Sequence, residues 1–143
     1  MPQVEFLVLA NHAEAVNGLL YISGGGWTEH WRNVQPGQPL PPSTLGVAVG
    51  ILVPWNETNR RHRLIVRVEG EDGQAVVPPI EGEFEMGRPP GFPPGIDQRS
   101  VLAINANLQF PSAGGYRVVA ECGDHVRSVS FRVHDSPAQP RPA

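Results

Sequence analysis

Five histidines, one cysteine and ten glutamates are the residues through which this 143-residue chain could do chemistry. His12, His30, His62, His125 and His134 show no HxH, HExxH or i,i+4 spacing, so no metal-site pattern is written along the chain. A jelly-roll metalloenzyme would need a close histidine pair followed by a carboxylate, which is also missing. His12 with Glu14, and Glu29 with His30, flank the second expected strand and could meet across its loops. A small metal-dependent or hydrolytic enzyme using these four residues is the alternative function; surface histidines are the simpler account. No serine stands in a G-x-S-x-G elbow. Cys122 is alone, which excludes an intrachain disulfide, a CxxC pair and a multi-cysteine zinc site. It alternates with Tyr116, Val118 and Ala120, the pattern of a small buried residue. All 11 basic residues are arginine, so a Schiff-base lysine, a P-loop lysine and a lysine general base are excluded. The expectation is a protein without catalytic residues, metal or cofactor.

Other residues point to binding. Gly24-Gly25-Gly26-Trp27 could offer free amides to an anion, but no helix pattern follows, and a bend at the end of a strand explains it better. Glu81, Glu83 and Glu85 share one strand face; a calcium site would draw on loops, and a solvated face paired with arginine is expected. Gly46, Ala48 and Gly50 leave a shallow trough that another chain or loop could fill. Trp27, Trp31, Trp55 and Phe92 fall in or beside expected loops, where large aromatics serve as interface anchors. Their plainer role is to plug the ends of the fold.

These residues are positioned by short runs of period two, the mark of half-buried strands. They cover residues 4–10, 19–23, 44–53, 62–69, 74–77, 81–86, 101–110, 116–122 and 126–134. Asn17-Gly18 and Gly123-Asp124 are the turn signals of tight hairpins. Asn11 and Glu14 have capping-box spacing and predict a helical turn over 11–16. Of 16 prolines, 11 fall within 36–42, 89–94 and 137–142, which marks two loops and a tail. Arg63 and Arg67 face away from Leu64, Val66 and Val68, so pairing with residues 81–86 would bring arginines against glutamates. Tyr116, entering its strand after Gly114-Gly115, has the place of the tyrosine that locks a corner in immunoglobulin-like folds. The fold class is therefore all-β: a single immunoglobulin-like β-sandwich of about eight to nine antiparallel strands over 1–134, with a flexible Pro-rich tail over 135–143.

The stretch from Phe6 to Trp27, with Ala10-Asn-His-Ala13 and Gly18-Leu-Leu-Tyr-Ile-Ser-Gly-Gly-Gly26, resembles a family of small uncharacterised bacterial β-sandwich proteins. Asn59-Arg-Arg-His-Arg-Leu64, Glu71-Asp-Gly73 and the Phe110-Pro…Gly115-Tyr116 unit are similar too. The resemblance spans 3–134 and departs in the proline-rich insertions at 36–42 and 89–95. It implies a fold and no activity, with Gly24–Gly26, His62 and Tyr116 as framework positions.

A net charge of −3 without a basic run argues against nucleic acid. No signal-peptide pattern and no apolar run of about 20 residues is present, so a cytoplasmic protein off the membrane is expected. The leading expectation is a non-catalytic module for protein–protein binding or assembly, its partner and oligomeric state unspecified. Loops 11–17, 27–31 and 55–59 would form one recognition end, with Trp27, Trp31, Trp55 and His12 as contacts. Arg32, Arg60 and Arg61 would form its polar rim. A structural subunit of a larger particle is a third reading, and an exposed edge strand offers another binding mode.

Overall fold

A computed structural model describes residues 1–91 and 93–137. The described residues form nine strands: β1 (Gln3–Val16), β2 (Leu19–Gly25), β3 (Glu29–Val34), β4 (Ser43–Val53), β5 (Arg61–Gly70), β6 (Ile80–Glu85), β7 (Gln98–Leu108), β8 (Gly114–Cys122) and β9 (His125–Pro137). A single 3-10 turn, Trp55–Glu57, follows β4. The strands make a four-stranded sheet in the order β2-β1-β4-β7 and a five-stranded sheet in the order β3-β9-β8-β5-β6. Phe92 and the tail residues 138–143 lie outside the described residues.

Local sequence accounts for most of this. Asn17 and Gly18 both have positive φ, 52° and 75°, the two-residue turn that matches the twist of a hairpin, and Val16 pairs with Leu19 across it. Gly123, with φ 59°, performs the same reversal between β8 and β9, where Cys122 pairs with His125. The chain passes repeatedly from one sheet to the other. The glycine bend at 24–26 makes one such passage, and the proline-rich segments 36–42 and 89–94 lie on two more.

One hydrophobic cluster draws on both sheets: Leu7, Leu9, Val47, Val49 and Ile51 from one, Leu64, Val66, Val68, Val118, Phe131 and Val133 from the other. Each fully buried aliphatic side chain contributes about 1.5–3 kcal/mol. At one end Tyr116 packs on Phe110 (4.7 Å) and Phe131 (5.9 Å), and its hydroxyl donates to the Ser112 carbonyl at 2.6 Å. That is the role anticipated for this tyrosine.

Four expectations are corrected. Residues 11–16 continue β1 as strand instead of turning helically. Pairing with β2 holds them extended, and the Asn105 side chain acts as a further strand, accepting from Ala13 N (3.1 Å) and donating to Ala13 O (2.7 Å). Residues 29–34, placed among loops, form β3, which runs parallel to β9 and so departs from an all-antiparallel scheme. Residues 74–77 form no strand; Ala75 makes only an isolated bridge to Glu69. The last strand continues past 134 to Pro137, so residues 135–137 belong to the sheet. Asp135 is held there by Arg32, whose Nε and Nη2 donate to its carboxylate at 2.6 and 3.2 Å while Nη1 donates to the Phe110 carbonyl at 2.7 Å. Arg32 is buried by these contacts and is no part of a polar rim.

Candidate functional site

Strand register decides which of the candidate residues can act together. β1 starts beside the end of β4, Gln3 opposite Leu52, so Trp55 and the following residues lie at the end where β1 begins. Arg60 and Arg61 lie at that same end, because Leu64 pairs with Cys122 and Val4 N donates to His125 Nδ1. His12 lies towards the opposite end of β1. The segments 11–17 and 55–59 therefore do not form one recognition end, and most of 11–17 and 29–31 is strand.

The three tryptophans differ in what they can offer. Trp55 is half-buried and covered by Arg88, whose guanidinium carbon sits 3.9 Å from the ring centroid while Nη2 donates to the Trp55 carbonyl at 2.9 Å. Trp27 is half-buried edge-on against Phe131 at 5.7 Å, and its indole Nε1 is buried with no hydrogen-bond acceptor among the described residues. Trp31 alone is exposed, at 47 %. It stacks on His134 (4.3 Å, 21°), which is hydrogen-bonded to Glu29. A ring held in this way is ordered before it meets a partner, and less entropy is lost on binding. Arg60 is exposed; Arg61 is exposed too and reaches Glu83 at 3.4 Å.

The four residues of the enzymatic alternative separate into three sites. His12 bonds Glu14 at 3.0 Å in the open, Glu29 bonds His134, and His30 bonds the Ser43 hydroxyl at 2.8 Å. Among the described residues no three of His, Cys, Asp or Glu are grouped to hold a metal ion. Burial pushes the Cys122 thiol above its ordinary pKa, and the Glu57 charge adds to that, so the thiol is held protonated. His62 bonds the Glu57 carbonyl at 2.8 Å, a framework role. Gly24 and Gly26 have positive φ, 61° and 87°, and Gly26 N is already spent on Leu9 O at 2.7 Å. The glycine triplet is a bend. A cleft of about 500 Å³ opens between the segments after β5 and before β8, lined by Glu71, Asp72, Gln74, Gln109, Ser112 and Tyr116 among others.

The outer faces of the two sheets differ. On β5, β6 and β8 the arginines meet glutamates as expected. Arg63 pairs with Glu81, Arg67 with Glu121 (2.6 Å) and Arg117 with Glu69 (2.7 Å). On β1, β4 and β7 the rows are Phe6-Gly50-Val101, Val8-Ala48-Ala103 and Ala10-Gly46-Asn105. The trough over Gly46 and Gly50 is not open to another chain, because its own neighbours fill it. A Cβ on Gly50 would fall into the Phe6 ring, and one on Gly46 would meet Ala10 O at 3.0 Å and Asn105 Oδ1 at 3.1 Å.

The surface that sequence reasoning did not single out is the edge strand β2 with its hairpin. Val16 (45 %), Leu19 (59 %), Tyr21 (56 %) and Ile22 (41 %) are all exposed. A contiguous apolar edge of this kind is uncommon on a monomer that stays free. The available signal was the absence of any charged residue from 15 to 28. No helix among the described residues is long and apolar enough to cross a membrane.

The model of a family of unknown function (DUF6941) matches residues 5–134, and the chain belongs to that family. No curated protein matches it.

Proposed function

We propose that this DUF6941 chain is an immunoglobulin-like β-sandwich serving as a non-catalytic module for protein–protein binding or assembly. The tyrosine corner at Tyr116 and the single cluster shared by two sheets support the architecture. The observation that carries the binding role is the uncharged, apolar edge of β2, with Val16, Leu19, Tyr21 and Ile22 exposed side by side. An unpaired strand offers backbone donors and acceptors as well as side chains, so a partner can gain ladder hydrogen bonds and apolar burial together. Trp31, stacked on His134 at the edge of the other sheet, is a second anchor.

Affinity capture from an extract of the source cells, with wild type, Tyr21→Lys and Trp31→Ala compared at equal folded concentration, tests this reading. A partner held by wild type and lost in Tyr21→Lys is the expected result. A partner retained equally by both variants, or none recovered and no self-association, would overturn it.

A further inference from the structure

We infer that the occupant of the β2 edge is a second copy of this chain, paired antiparallel through β2 about a two-fold axis at Ile22. Two four-stranded sheets would thereby join into one of eight. The inference rests on the binding-module reading and specifies its partner.

The other sheet edges carry devices that discourage such pairing. β6 carries Glu81, Glu83 and Glu85; β3 carries an inward-pointing charge, Arg32; β7 carries Arg99, Asn105 and Asn107. β2 pairs only with β1 and has neither charge nor proline from Leu19 to Gly25. Its order of side chains is self-complementary. Leu-Leu-Tyr-Ile is followed by Ser-Gly-Gly, a large half and a small half. Antiparallel pairing about Ile22 sets Tyr21 opposite the second copy's Ser23 and Leu20 opposite its Gly24. The large half of each copy lies against the small half of the other. The small half cannot be enlarged, since a Cβ on Gly24 would run into the Asn11 side chain and one on Gly25 would lie 2.6 Å from Ile22 Cγ2.

Charge fits the same symmetry. On β1, Glu14 stands beside Tyr21 and His12 beside Ser23. Each row across the joined sheets then runs from a carboxylate in one copy to an imidazole in the other, and no like charges face one another. In an isologous contact every such match is made twice. One strand pair with its apolar flank is a small interface, below about 1,200 Å². The dimer is therefore expected to assemble at micromolar concentration and to be sensitive to a single charge.

Sedimentation velocity from low micromolar to submillimolar protein reads the association directly. Wild type should pass from monomer to dimer, and Ile22→Lys, which sets like charges on the axis, should weaken dimerisation at least ten-fold. Val126→Lys, equally exposed but on β9, should leave it unchanged. Circular dichroism melts of each variant confirm folding. Ile22→Cys gives an independent register test. Paired residues on the axis lie within about 4.5–5.5 Å between Cα atoms, inside the range a disulfide spans. Mild oxidation should give a covalent dimer, while Val126→Cys should not; Cys122 is buried and does not compete. A wild type that stays monomeric throughout, or a dimer indifferent to Ile22→Lys, overturns the inference. If the monomer still loses an extract partner on Tyr21→Lys, self-pairing falls and the binding-module reading stands; if no partner of any kind is found, both fall.

Discussion

Across β5, β6 and β8 the outward positions alternate arginine with glutamate, and the side chains close on one another in pairs such as Arg67–Glu121 and Arg117–Glu69. Across β1, β4 and β7 the equivalent rows hold glycine, alanine, valine and one phenylalanine, with a single ion pair, Glu5–Arg99, near one end. The first face meets water with charge. The second meets it with its own neighbours folded over empty positions, the Phe6 ring above Gly50 and Asn105 above Gly46. The difference shows where the chain spends its specificity. A charged face can exchange partners cheaply, because exposed pairs contribute only about 0.2–1 kcal/mol each. A face sealed by shape cannot, and its glycines are fixed by the side chains that lie on them. The apolar sheet also ends in the uncharged β2, whereas the charged sheet ends in the glutamates of β6.

Filling a glycine should therefore be the most damaging test of this contrast. Gly50→Val drives a side chain into the Phe6 ring and should cost about 2 kcal/mol. The loss would appear as a lower urea midpoint with an unchanged slope. Adding Phe6→Ala should recover part of it, and an unshifted midpoint in Gly50→Val would show that the face is not sealed. Arg67→Ala removes a partner from Glu121 and Glu69 on the other face and should cost under about 1 kcal/mol. That cost should shrink further in high salt; a loss as large as that of Gly50→Val would erase the distinction between the faces. The smallest effect belongs to the ion pair on the apolar sheet. The hydrogen bond from Arg99 holds the Glu5 carboxyl below its ordinary 4.5, so the pair's contribution is present above that value and is lost as pH falls through the folded-state pKa. In Arg99→Gln an NMR titration of Glu5 should find the midpoint moved up towards 4.5.

Period two was enough to locate β5 and β8, because Leu64, Val66 and Val68, and Val118 with Ala120, alternate without interruption. It failed at β3, where the inward positions are His30, Arg32 and Val34. A buried arginine resembles a loop residue until its acceptor is known, and Asp135 lies 103 positions further along the chain. The helical turn expected over 11–16 failed for a related reason. Asn11 and Glu14 have the right local spacing, but the backbone they belong to is satisfied by Asn105, 92 positions from Ala13. The candidate site was less legible than the fold. Nothing in the surroundings of Trp55 announces that Arg88 will cover it, and nothing local separates a half-buried strand from an edge strand such as β2. Exposure is a property of neighbours that arrive from elsewhere in the sequence.

The parallel ladder between β3 and β9 also sets a schedule. β3 has β9 as its only hydrogen-bonded neighbour, and their pairing joins Arg32 to Asp135 across 103 residues. On a ribosome adding about 5–20 residues per second, that separation corresponds to roughly 5–20 s of synthesis. Throughout that interval Trp27 has no Phe131 to pack against, Trp31 has no His134 to stack on, and the Arg32 guanidinium has no carboxylate. Closure of the molecule waits for its last strand, so a nascent chain of this design carries two unshielded indoles for most of the time it is being made.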